Sequence, residues 1–138
     1  LREIIPYARE KEVRIAFETE GSLYKKDHLI MQQPHEYERL LQLFTSDEIG
    51  ISLNIGHLIL AANAFSFSCQ SLVDLIQGHV VAMELSHNNG FEDQHLPLKP
   101  TGWYWPLIND KRFKDVYKIL EFRNTSIAKI KETIQLFA

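Results

Sequence analysis

The densest run of chemically capable side chains in the sequence is Glu84-Leu85-Ser86-His87-Asn88-Asn89-Gly90-Phe91-Glu92-Asp93-Gln94-His95-Leu96-Pro97-Leu98. Carboxylates and imidazoles crowded this closely can ligate a divalent ion or move protons. The run continues an apolar stretch, Val80, Val81, Met83 and Leu85, that reads as a strand, and Asn89-Gly90 is a turn signal that ends it. Three shorter groups share this form: Glu18 behind Val13 to Phe17, Asn54-Ile55-Gly56-His57 closing the apolar run from Ile49, and Glu121-Phe122-Arg123 closing Val116 to Leu120. Polar groups that follow a buried strand directly sit at its carboxyl end, where parallel α/β proteins keep their chemistry.

The elements that position these groups can be traced along the chain. Strands are expected near residues 13–18, 50–55, 79–86 and 116–122. Val13 to Phe17 is apolar except for Arg14, the pattern of a strand buried on both faces. A short amphipathic helix covers Leu1 to Lys11, and Ser22 to Gln33 has no period and reads as a long loop. Pro34 marks a helix start, followed by Tyr37, Leu40, Leu41 and Phe44 at helical spacing. Ser68 is an N-cap for a helix carrying Leu72, Val73, Leu75 and Ile76, with Gly78 as its stop. A short helix runs through Phe113, and a last one, capped by Thr125 or Ser126, carries Ile127, Ile130, Ile134 and Leu136.

Four strand-helix units at a spacing of about 35 residues predict consecutive parallel strands with crossover helices. Glu18, Asn54, Glu84 and Glu121 then fall at or near the four carboxyl ends in turn and share one face. A closed (β/α)8 barrel with its active site on that face needs about 250 residues, so four units make half of one.

Composition bounds the rest. With 138 residues, 45% hydrophobic and 24% charged, there is enough for one core and no more. A net charge of -3 with interspersed signs gives no cationic surface for nucleic acid. Ile51 to Phe67, the most apolar run, is broken by Asn54, His57 and Asn63 and is too polar to span a membrane. Cys69 is the single cysteine, which excludes an internal disulfide and fits a reducing, cytoplasmic compartment. No signal peptide is visible, and the chain opens on Leu1 inside a helical pattern, so it is expected to start within a longer protein.

The four groups together resemble the second half of a xylose isomerase-like TIM barrel, the superfamily of sugar phosphate isomerases and epimerases and, more distantly, endonuclease IV. Phe17-Glu18-Thr19 resembles the family's glutamate after strand five, and Asn54-Ile55-Gly56-His57 its Asp-x-Gly-His after strand six. Leu85-Ser86-His87-Asn88-Asn89-Gly90 through Asp93-Gln94-His95-Leu96-Pro97 resembles its Leu-Ser-Asp-Asn-x-Gly and Asp-x-His-Leu-Pro, and Leu120-Glu121-Phe122-Arg123 its closing Leu-Glu-x-Arg. The likeness covers essentially the whole chain. It implies an α/β fold in which residues 1–138 form the C-terminal half of a (β/α)8 TIM barrel, strands five to eight, as a piece of a longer single domain.

By the resemblance, Glu18, Asn54, Glu84 and Glu121 stand where the family holds its divalent metal. Glu18 and Glu121 stand where it keeps its acid and base, and His57, Asp93, His95 and Arg123 where it contacts substrate. Two ligands depart from the family: Asn54 stands for aspartate, and Glu84 for histidine. The two changes cancel in formal charge but leave an all-oxygen set, which favours magnesium or manganese over zinc. His87 is the alternative nitrogen ligand, and the sequence leaves both arrangements open. Other roles have plainer readings. Asp93 and His95 can simply pin their loop, Trp103 and Trp105 can wall a sugar site or pack in the core, and Cys69, at a helix start but without a catalytic partner, reads as inert.

The function implied is a metal-dependent sugar or sugar-phosphate isomerase or epimerase that moves a proton next to a carbonyl through an enediolate. A barrel that has lost catalysis and serves as a binding or structural protein is the alternative, motivated by Asn54 and Glu84. An endonuclease IV-like hydrolase ranks third. Expected partners are a small carbohydrate and either a second copy or a complementing half-barrel, because half a barrel leaves strand edges open; neither nucleic acid nor membrane is expected.

Overall fold

A computed structural model describes residues 1–25 and 28–137. Lys26 and Asp27, inside the expected long loop, lie outside the described residues; the rest of Ser22 to Gln33 has no regular element. In chain order the elements are α1 (Ile4–Glu10), β1 (Ile15–Glu18), α2 (Pro34–Leu43), β2 (Ile49–Asn54), α3 (Ile55–Phe65), α4 (Cys69–Ile76), β3 (Val80–Leu85), α5 (Trp105–Ile108), β4 (Tyr117–Leu120) and α6 (Ile127–Ile134). The strands form one sheet in the order β1-β2-β3-β4, every pair parallel, as expected from the repeated units. No helix among the described residues is long and apolar enough to cross a membrane.

Strand alternation sorts the sheet into two faces. Ile51, Leu53, Met83 and Leu85 turn to the helix side, where they join Tyr37, Leu58, Leu72, Val73, Ile76, Ile108 and Phe113 in the main core. The opposite face carries Ala16, Glu18, Ser52, Asn54, Ala82 and Glu84, in register across the strands. Its outer part is open: Tyr117 and Ile119, paired with Ala82 and Glu84, are 79% and 47% exposed.

One expectation needs correction. β1 is not buried on both faces; it is an edge strand, with Val13 and Ala16 exposed. β2, by contrast, is buried at all six positions between its neighbours. The sequence pattern marks no helix between β2 and the one capped by Ser68, yet α3 begins at Ile55, the residue after β2. Seven of its eleven residues are buried, so it has no polar stripe to announce it. Helix starts elsewhere follow their local chemistry. Pro34 opens α2, where the Glu36 carboxylate accepts from the backbone N–H groups of Met31, Gln32 and Gln33 at 3.1, 2.8 and 2.7 Å. Ser68 and Ser126 cap α4 and α6. Part of the apolar side of α6 is open among the described residues: Ile127 and Ile134 are exposed, whereas Leu136, just past its end, packs against the main core.

Candidate functional site

The parallel register brings the four strand ends together around one buried side chain. Asn54 closes β2, fully buried, and its Oδ1 accepts from the N–H groups of Gly56 and His57 at 3.0 and 3.1 Å, the cap of α3. Backbone N–H groups can only donate, so this contact fixes which end of the amide is oxygen. Nδ2 therefore points the other way, donating to Glu18 Oε1 at 3.0 Å, Glu121 Oε2 at 3.0 Å and Glu84 Oε2 at 3.3 Å. Ser52, two residues earlier on the same face, donates to Glu84 Oε1 at 2.6 Å.

Thr19 fixes Asn54 from the other side. Its buried hydroxyl accepts from the Asn54 N–H at 2.8 Å and donates to the Asn54 carbonyl at 3.2 Å. The segment after β1 lies so close to α3 that a Cβ on Gly21 would come within 2.0 Å of the His57 carbonyl oxygen. Close approach also explains Gly56, where a Cβ would stand 2.8 Å from Ser86 Oγ, beside the Asn88 amide that donates to the Gly56 carbonyl at 2.7 Å.

A second group adjoins the first. His57 Nδ1 lies 3.1 Å from the Thr19 carbonyl, and His95 Nδ1 lies 3.3 Å from the Glu121 carbonyl. A carbonyl can only accept, so each Nδ1 carries a hydrogen, and the two Nε2 atoms lie 3.5 and 2.8 Å from Asp93 Oδ1. His95 is 2% exposed, and its Nε2 has no aligned hydrogen-bond partner. The same nitrogens also approach carboxylates, His57 Nδ1 to Glu18 at 3.1 Å and His95 Nδ1 to Glu121 at 3.2 Å, which joins the two groups into one cluster. Arg123 is tied down: it donates to the Asp93 carboxylate at 3.1 Å and to the Asp93 carbonyl at 3.2 Å. A cavity of about 610 Å³ opens over the cluster, lined by Glu18, His57, Asp93, His95, Glu121 and Arg123 together with apolar residues such as Leu60 and Phe91.

Two groups of side chains in the cluster could hold a metal ion. Oxygens of Glu18, Glu84 and Glu121 lie within 4.8 Å of one another, an all-oxygen set that suits a hard ion whose remaining positions are filled by water. Asn54 adds no oxygen to this set, because its Oδ1 is spent on the cap. Atoms of His57, Asp93 and His95 also lie within 4.8 Å of one another, and two imidazoles with a carboxylate suit a borderline ion such as zinc.

Of the residues singled out in the sequence, Glu18, Asn54, Glu84, Glu121, His57, Asp93, His95 and Arg123 all meet in this cluster. His87 does not. Its ring packs against Tyr104 at 6.0 Å, while its backbone pairs with Leu96, and burial, with the Lys99 charge second, holds its pKa below the usual imidazole value. Trp103 and Trp105 do not wall the cavity; the Trp105 ring meets Phe137 edge-on, with centroids 5.4 Å apart, and its Nε1 donates to the Lys99 carbonyl. Burial pushes the Cys69 thiol pKa up, in line with an inert cysteine. Sequence reasoning missed Thr19, Ser52 and Asn88. Ser52 had a signal, since two residues before Asn54 in a strand is the same face.

No family model matches the sequence, and no curated protein matches it significantly. Solved structures do. A D-tagatose 3-epimerase-like protein superposes over 99% of this chain with a TM-score of 0.75 at 17% identity. The TTHB071 protein of Thermus thermophilus, from a crystal soaked in zinc chloride, superposes over 96% with a TM-score of 0.66, also at 17% identity. The chain has the fold of half a TIM barrel. It spans 49% and 48% of the two matched chains, in keeping with four strand-helix units out of eight.

Proposed function

We propose that this half-barrel carries the acid-base carboxylates of a metal-dependent sugar or sugar-phosphate isomerase or epimerase. The observation that supports it best is the convergence of Glu18, Glu84 and Glu121, from three different strand ends, to within 4.8 Å under an open cavity. Glu18 and Glu121 border that cavity from opposite edges of the sheet, so a sugar carbon between them would meet one carboxylate on each side. One takes the proton from the carbon next to the carbonyl and the other returns it, with an enediolate between the two steps. His57, anchored through Nδ1, lines the cavity where it would orient a hydroxyl, and Arg123 with Asp93 also lines it. A magnesium or manganese ion on the carboxylates would supply positive charge for the substrate oxygens. The chain's partner is a second copy or a complementing half-barrel that covers the open face at Tyr117 and Ile119 and the apolar side of α6. A cytoplasmic setting suits the single thiol.

A second reading attaches to the His57, Asp93 and His95 group. Two imidazoles anchored through Nδ1, with both Nε2 atoms beside the Asp93 carboxylate, suit zinc, and zinc there would suit hydrolysis of a phosphodiester in the manner of endonuclease IV. The acidic balance of the chain favours the sugar reading.

Metal analysis of the full-length protein followed by an isomerisation screen over aldoses, ketoses and their phosphates tests both. Manganese- or magnesium-dependent isomerisation, lost in Glu18→Gln and in Glu121→Gln, is the expected result. Bound zinc with phosphodiesterase activity supports the second reading. Absence of any bound divalent ion and of any turnover sinks both and leaves a binding barrel.

A further inference from the structure

Three carboxylates sharing a space 4.8 Å across repel one another, and without a counter-charge such a cluster should push its members apart. In this chain it does not. The centre is taken by the Asn54 Nδ2 group, within 3.0 to 3.3 Å of all three. We propose that Asn54 is a positioning residue that acts as a built-in neutral substitute for a cation, its amide hydrogens holding Glu18, Glu84 and Glu121 in register so that the site is preformed without metal.

The stoichiometry fits. An amide carries two N–H donors for three acceptors, so one acceptor must be served less well. Glu84 has the longest contact with the amide, 3.3 Å, and Glu84 is the one that receives a second donor, Ser52 Oγ at 2.6 Å. β2 thus supplies three hydrogens to three carboxylates from two adjacent positions of one face. Reversing the amide would set its oxygen against the carboxylates and its hydrogens against the N–H groups of Gly56 and His57, so the orientation is not free to change. A metal on these carboxylates must bind on the cavity side with no ligand from β2. The inference deepens the proposed function by naming what holds the same carboxylates, and each can fail without the other.

Asn54→Asp is the decisive substitution, because aspartate caps a helix as well as asparagine does and only the clamp is changed, from a donor into a fourth negative oxygen. Thermal melts of the full-length protein in EDTA are expected to drop by roughly 5 °C or more for Asn54→Asp. Manganese should reverse the drop and bind Asn54→Asp about tenfold more tightly than the wild type. Adding Glu84→Gln to Asn54→Asp removes one charge and should recover at least half of the loss. If Asn54→Asp is unfolded in EDTA, recovery of folding by Glu84→Gln or by manganese supports the clamp, and failure of both to recover it overturns it as general damage. A melt in EDTA equal to or above the wild type also overturns it. Equal manganese affinity for wild type and Asn54→Asp overturns the clamp while leaving the metalloenzyme reading intact. Tight binding by Asn54→Asp alone, with none by the wild type, upholds the clamp and refutes the metal-dependent function.

Discussion

Replacing Thr19 with valine tests whether the site's geometry is held from behind by one hydroxyl. Valine matches threonine in shape but has no hydroxyl, so the Asn54 N–H, now 2.8 Å from Thr19 Oγ1, and the Asn54 carbonyl, at 3.2 Å, both lose that partner. Thr19 is 1% exposed and Asn54 fully buried, so water cannot replace it without opening the structure. The orphaned N–H costs about 1–3 kcal/mol, and the carbonyl, which as the N-cap still accepts from within α3, loses a net hydrogen bond worth about 0.5–1.5 kcal/mol, offset by under about 1 kcal/mol from the added methyl. A loss of about 2–4 kcal/mol is expected, or roughly 8–16 °C in melting temperature for a domain of this size. Thr19→Ser keeps the hydroxyl and loses one methyl, so it should cost about 1 kcal/mol. Urea melts with unchanged m-values would measure both. Thr19→Val as stable as Thr19→Ser would refute the idea that this hydroxyl fastens β2 to the end of β1.

Gly21→Ala should cost about 3 kcal/mol or more, because its Cβ would meet the His57 carbonyl oxygen at 2.0 Å and the Ala61 nitrogen at 3.0 Å, backbone atoms that cannot rotate away; urea titration would show it. His87 gives a pH dependence. Its folded pKa is lowered, first by burial and then by Lys99, so the unfolded chain binds the proton more readily. That contribution to stability is complete above the ordinary imidazole value of about 6.5 and is lost as the pH falls through the lower folded value; in urea melts from about pH 7.5 to 5 the decline should be shallower in His87→Gln.

The strands were legible because each is an apolar run ending in a polar group. Expected near 13–18, 50–55, 79–86 and 116–122, they lie at Ile15–Glu18, Ile49–Asn54, Val80–Leu85 and Tyr117–Leu120. What covers a strand was less legible. The apolar run of β1 asks for burial on both faces, yet Val13 and Ala16 are exposed in this chain, because a run of apolar residues specifies that cover is needed and not which segment supplies it. The exposed Ile127 and Ile134 of α6 make the same point: the spacing shows an apolar side, and a neighbour for these two is not among the described residues.

The convergence of Glu18, Asn54, Glu84 and Glu121 could be read from strand alternation alone, since each lies at, or within one residue of, the carboxyl end of a strand of a parallel sheet. The direction in which Asn54 points could not. It depends on whether N–H donors wait behind Oδ1, and those donors, Gly56 and His57, exist as an unpaired pair only because α3 starts at Ile55 with no loop between. That helix is the element the sequence hid, as its apolar residues run on from those of β2 without a period to separate them. One omission therefore produced the other. Without that helix the asparagine oxygen is free to bind an ion, whereas a strand that runs directly into a helix commits that oxygen to the cap and turns the amide hydrogens toward the carboxylates.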